Sequence, residues 1–273
     1  MISPPASSHF LSAGQIWSNS QKLKGILRLV GLLIFINIGA TSAYGESPNS
    51  RETSHLKVAV IEDAAGISGG TLDGLRKLSW ETRQRTSINP SLNHPTLSLS
   101  SDQLYNYPMA VWRPGEPVAF DSSILGSKLR RYLTTGGTLF IDIQETDSQG
   151  PILRSITRLL ENALPRQTLK PLDRDHVFFK TFYLVDQLGG RFNHSTYFYG
   201  LEIDGRIALL LHPNDLLGAL AQDDNDDWLY FAAQGDRGRE YALRVGVNIF
   251  MYTLCLDYKQ DQVHIPFILK RRR

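Results

Sequence analysis

The sequence predicts an α/β fold: a mostly parallel central sheet, helices on both faces, and a β-hairpin added to the sheet. Three observations carry this. Residues 56–61, LKVAVI, are a nearly continuous apolar run that stops at Glu62 and Asp63, as in a strand covered on both faces. Residues 129–145, LRRYLTTGGTLFIDIQE, end an amphipathic helix at a double glycine and begin a buried strand at once. A strand, helix, strand succession of this kind favours parallel pairing with right-handed crossovers. Finally, the runs 197–203 and 206–211 flank Asp204-Gly205, a two-residue hairpin signal.

Residues 1–21 are polar. Lys22, Lys24 and Arg28 then precede the apolar run Leu29–Ile38 and the small residues Gly39 to Ala43. A positive region, a short apolar core and a small-residue zone are the layout of a secretory signal peptide. The expectation is therefore a signal peptide over 1–45, with a signal anchor through 26–43 as its rival. A polar linker over 46–55 and one domain over 56–273 follow. The core holds about 10 apolar residues, where a spanning helix needs roughly 20. Export to the periplasm is the localisation this implies.

After the first strand, Gly66, Gly69 and Gly70 form a loop, and a helix is predicted from Leu72 to Arg85 with Leu75, Leu78 and Trp80. These glycines lack the order of a dinucleotide fingerprint, and no cofactor is expected. Short strands are predicted at Thr96–Leu99 and Tyr107–Trp112. Asp121 is placed to cap a helix whose apolar face is Leu125, Leu129, Tyr132 and Leu133, and Thr138–Ile143 is the next strand. Pro151 opens a helix carrying Ile152, Ile156, Leu159, Leu160 and Ala163. Leu169–Phe182 reads as irregular. The loop 213–228 holds Asp223, Asp224, Asp226 and Asp227, read as solvated. Tyr241–Leu256 is a buried helix. Its length, with Arg244 and Asn248 inside it, argues against a second span. Cys255, the one cysteine, reads as a small packed hydrophobe.

Three of the 29 basic residues and none of the 27 acids lie in residues 1–43. The remainder is near neutral, which excludes nucleic acid as the expected partner.

In open α/β sheets, ligands bind outside the carboxyl ends of the strands. Those ends supply Glu62, Asp63, Trp112, Arg113, Asp142, Glu145, His212, Asn214 and Asp215, with Asp175 and His176 in a loop able to close over them. The candidate ligand-binding set is Asp63, Arg113, Asp142, Glu145, His176, Asn214 and Asp215. Each has a structural reading beside the functional one: Asp142 as a paired acid, Asn214 and Asp215 as helix caps, His176 as a hydrogen-bonded loop residue. Asp261 and His264, before the apolar Phe267-Ile268-Leu269, are candidates for a docked tail or partner contact. They lack the spacing of a metal site, and no metal is expected.

The blocks YNYPMAVW, LRRYLTTGGTLFIDIQE, LKPLDRDHVFF, IDGRIALLLHPNDL, RVGVNIFMYTL and DQVHIPFILKRR resemble, in that order, the bacterial domain-of-unknown-function 4159 family. The resemblance implies a flavodoxin-like three-layer sandwich similar to class I glutamine amidotransferase domains. It also implies an envelope setting beside von Willebrand factor A-type and MoxR-type partners. Amidotransferases carry a nucleophilic cysteine at the elbow after the third strand. Here that elbow is Trp112-Arg113-Pro114-Gly115, so glutaminase chemistry is not expected. Three functional readings follow: a non-catalytic envelope module that binds protein or ligand; a metal-assisted hydrolase or ligand binder using Asp63, Asp142, His176 and Asp215; and a sugar or peptide site at Trp112 and Tyr197–Tyr199.

Overall fold

Seven strands form one sheet in the order β2-β1-β3-β4-β7-β6-β5. The computed structural model describes residues 56–118, 123–147 and 149–270, with 255–270 as helix backbone. The expected signal segment, the linker and the Asp121 cap lie outside the described residues. The strands are β1 Val58–Glu62, β2 Thr96–Ser98, β3 Met109–Trp112, β4 Thr138–Asp142, β5 Lys170–Pro171, β6 Tyr199–Ile203 and β7 Arg206–His212. The helices are α1 Thr71–Arg85, α2 Ser123–Thr134, α3 Pro151–Ala163, α4 Leu216–Leu220 and α5 Gly235–Lys270.

The pairs β1–β2, β1–β3, β3–β4 and β4–β7 are parallel, and β6–β7 and β5–β6 are antiparallel. Strand order therefore reverses beside β1, as in a flavodoxin-like sandwich. The hairpin turns at Asp204 (φ 50) and Gly205 (φ 78), both left-handed as a tight two-residue loop requires.

Side-chain alternation along the strands separates two cores. Val58, Val60, Met109, Val111, Phe140 and Leu210 meet α1, α4 and the first turns of α5. Ala59, Ile61, Ala110, Trp112, Leu139, Ile141 and Leu211 meet α2 and α3. Successive residues thus face opposite helical layers, which is why these strands read as unbroken apolar runs.

The joint between α2 and β4 shows how the chain is held. Gly136 (φ 114) makes the left-handed turn after α2. A Cβ on Gly137 would lie 2.4 Å from the Tyr132 ring, whose hydroxyl donates to Tyr107 O at 3.0 Å. Buried Arg206 donates to the carbonyls of Leu133 and Gly137, placing a cation at the carboxyl end of α2.

The predicted elements are present with shifted bounds. Within the loop expected over 213–228, α4 forms. The helix expected over Tyr241–Leu256 extends through Lys270, so the backbone that carries Asp261 and His264 is helical. Among the described residues no helix is long and apolar enough to cross a membrane. The irregular 172–198 segment is fastened by buried Asn248. Its Oδ1 accepts from Tyr183 N (2.8 Å) and Phe182 N (3.3 Å), and its Nδ2 donates to Phe178 O and Tyr183 O, both at 2.9 Å.

Candidate functional site

Asp142 is the last residue of β4 and shares the sheet face of Phe140, so it points toward α4. Its Oδ1 accepts from Leu216 N at 2.8 Å and its Oδ2 from Leu217 N at 2.7 Å. A buried carboxylate is thus matched to the free N–H groups that open a helix. Asp215 also caps α4, accepting from Gly218 N at 3.1 Å, from a left-handed backbone (φ 57). A Cβ on Gly74 would lie 2.1 Å from Leu217 O, so α1 approaches α4 as closely as only glycine permits.

Arg113 closes this network. Its Nε and Nη2 donate to the Asp215 carboxylate at 2.7 and 3.0 Å, and its Nη1 donates to Gly69 O at 2.6 Å. The Arg113 and Asp215 side chains are fully buried, and Arg191 Nη1 lies 3.3 Å from Asp215 Oδ2. Burial opposes the Arg113 charge, but Asp215 more than offsets it and the pKa goes up. Burial pushes the Asp215 carboxyl up, aided by Asp142 and opposed by Arg113 and Arg191. His212 Nδ1 lies 3.4 Å from Asp142 Oδ1 and accepts from Asn214 N at 3.3 Å. Asn214 fixes the preceding loop through Ser195, accepting from its N at 3.1 Å and donating to its O at 2.7 Å.

The opposite sheet face is open at the carboxyl ends of β1, β2 and β3. There a cleft of about 680 Å³ is lined by Ile61, Leu99 and Trp112 at its floor and by Glu62, Asp63 and Glu116 at its rim. Asp63 Oδ2 accepts from Trp112 Nε1 at 3.0 Å and Oδ1 accepts from Ala65 N at 2.9 Å. The indole is thereby held in one orientation. This is the crevice where strand order reverses, the position at which doubly wound sheets receive ligands.

The expected residues therefore divide. Arg113, Asp142, Asn214 and Asp215 converge, together with His212, on the α4 side. Asp63 sits in the cleft on the other face, and its strand is two positions from that of Asp142, about 10 Å at normal strand spacing. Glu145 caps α3, accepting from Ile152 N (2.7 Å) and Leu153 N (2.9 Å).

His176 does not close over the strand ends, contrary to expectation. It opens a short 3-10 turn by accepting from Phe178 N at 3.1 Å, and its ring lies 5.9 Å from that of Tyr252. Tyr252 binds Ile207 N at the start of β7, the far end of the sheet. Burial lowers the His176 pKa, with Glu202 and Asp173 pulling it back up. Asp175 donates its backbone N–H to Asp173 Oδ1 within the same loop. Asp261, His264 and Cys255 have side chains outside the described residues. Trp112 is buried, and β4 and β7 separate its strand from that of Tyr199, so the two aromatic groups form no common platform. Among the described residues, no three His, Cys, Asp or Glu side chains group as metal ligands.

Three rim residues escaped the sequence reading: Ser98, Ser100 and Glu116. The strand-end rule points to all of them, since Ser98 ends β2, Ser100 comes after it and Glu116 comes after β3. Arg191 comes from the irregular segment, and no local pattern marks it.

A family model described as a domain of unknown function (DUF4159) matches residues 58–254. No curated protein matches the chain.

Proposed function

We propose that this chain, which belongs to the family described as domain of unknown function (DUF4159), is a binding module of the cell envelope with its recognition site in the cleft beside β1 and β3. One observation carries the reading. The acids on the α4 side are committed to the fold, Asp142 to two backbone N–H groups and Asp215 to Arg113. The acids beside β1 instead border an open cleft with an apolar floor. Catalysis by Asp63, Asp142, His176 and Asp215 acting together has no support from this arrangement, because they lie on two sheet faces and at both ends of the sheet. The envelope setting is supported by the basic, apolar and small-residue succession of residues 22–43. The resemblance to a family found beside von Willebrand factor A-type and MoxR-type proteins supports a protein partner there.

The test is capture from the membrane fraction of the native host. The intact chain is compared with Glu116→Trp, which fills the cleft from an exposed rim position. Material retained by the intact chain and lost with the variant is the expected result. Equal retention by both, or retention by neither, overturns the cleft as the recognition site. Recovery of the protein solely in the cytosolic fraction overturns the envelope setting.

A further inference from the structure

We propose that the cleft beside β1 and β3 takes an organic cation: an ammonium or guanidinium group carried on an apolar stem. This rests on reading the cleft as the binding site and adds the chemistry of what enters it.

The cavity comes first. At about 680 Å³ it falls in the range of small-molecule sites, and it occupies the crevice where strand order reverses. Its floor is apolar. Ile61, Leu99 and Trp112 present buried side chains, and Leu125 and the exposed Ile124 of α2 form one wall. An apolar stem can be desolvated against these surfaces.

The rim sets the charge of the ligand. Glu62, Asp63 and Glu116 border the cleft together with Ser98 and Ser100, and among the described residues the lining contains no lysine, arginine or histidine. Among the described residues, neither Glu62 nor Glu116 has an ion-pair partner. This sets them apart from Asp142, Asp215 and Glu145, whose oxygens are taken up by backbone N–H groups or by Arg113. The Asp63 carboxylate is oriented by the indole N–H of Trp112 and retains lone pairs for a second donor. An anion entering here meets three like charges, and a neutral apolar molecule leaves them without a partner. A cation on an apolar stem matches both surfaces.

The indole N–H of Trp112 is a reporter inside the site. In 15N–1H spectra of the full chain it is identified by its loss in Trp112→Phe. Two pairs of probes are titrated: phenethylammonium against the neutral 3-phenylpropanol, and a capped pentapeptide with one central arginine against its citrulline counterpart. The expected result is a saturable shift of the Trp112 indole signal with the charged member of at least one pair. Its affinity should exceed that of the neutral member on the order of tenfold, as several partly screened pairings would give. The preference should shrink in the double variant Glu62→Gln, Glu116→Gln, and with added salt. Both positions are solvent-exposed, so the unliganded Trp112 signal checks that the variant keeps its fold. Tighter binding of the peptide identifies a partner's side chain as the source of the cation, and tighter binding of the amine identifies a small molecule. Equal shifts from charged and neutral members overturn the cation while leaving the cleft as a binding site. No shift with any probe overturns the proposal in both parts.

Discussion

Replacing Arg113 by methionine removes the cation from a fully buried pair while preserving most of the volume of its stem. Asp215 then keeps the Gly218 N–H at 3.1 Å and the more distant Arg191 at 3.3 Å, but loses both short bonds from Arg113, at 2.7 and 3.0 Å. Removing one partner of a buried ion pair costs roughly 3–5 kcal/mol because the other charge stays behind. The surviving contacts to Asp215 place the expected cost of Arg113→Met near the lower end, about 3 kcal/mol. Asp215→Asn leaves Arg113 charged and buried but can still cap α4, since asparagine tolerates the left-handed backbone. Its expected cost is about 2 kcal/mol. The double variant leaves neither charge, so its cost should fall below the sum of the singles by about 2 kcal/mol. Urea denaturation of all four proteins measures this. Additivity within about 0.5 kcal/mol, or a cost below about 1 kcal/mol for Arg113→Met, would refute the view that this pair is a desolvated, mutually dependent unit holding α4 against the sheet.

Two further outcomes are expected. His94 donates from Nδ1 to Val58 O (3.3 Å) and accepts at Nε2 from buried Ser79 Oγ (3.2 Å). Burial lowers its pKa from 6.5 to about 4, with Val58 O pulling upward and Arg76 and Arg83 pushing down. The unfolded chain therefore binds this proton more readily, and stability should fall as pH drops from 6.5 toward 4 by roughly 3 kcal/mol. His94→Gln should remove that component, and parallel pH–stability curves for the two proteins would contradict it. Asn248→Ala strands the N–H groups of Phe182 and Tyr183 and the C=O of Tyr183, while Phe178 O keeps the Thr181 hydroxyl at 3.3 Å, so a loss of about 3 kcal/mol and faster amide exchange at Phe182 and Tyr183 are expected. Unchanged exchange at those amides would show that Asn248 is not what holds the segment.

The family was legible because its blocks over residues 105–112, 129–145 and 203–216 lie on strands and helix ends, where local pattern and fold coincide. The match over residues 58–254 takes in five of the six blocks on which the resemblance rests, and the sixth lies beyond it. The strand-end rule picked out Arg113, Asp142, Asn214 and Asp215, which the fold brings together beside α4, since parallel strands deliver their carboxyl ends to one edge of the sheet. His176, expected in a loop able to close over those ends, instead lies beside Tyr252, because an irregular segment carries no periodicity from which to place it. The same rule reached the cleft only in part: it selected Asp63 but not Ser98, which ends β2, or Glu116, which comes after β3.

What the sequence determined by itself was the mostly parallel α/β sandwich with its hairpin, and the acids at the strand ends. Apolar runs, a glycine pair and Asp204-Gly205 act over a few residues, so local physics suffices to read them. Only the tertiary structure decided what those acids do. Asp142 meets the N–H groups of residues 216 and 217, and Asp215 meets a guanidinium 102 positions away. Whether a carboxylate is a cap, half of an ion pair or the open rim of a cleft depends on which distant donors the packed chain brings within 3 Å. A one-residue step along a strand sends it to the opposite face, and that step placed Asp142 against α4 and left Trp112 and Asp63 facing the cleft.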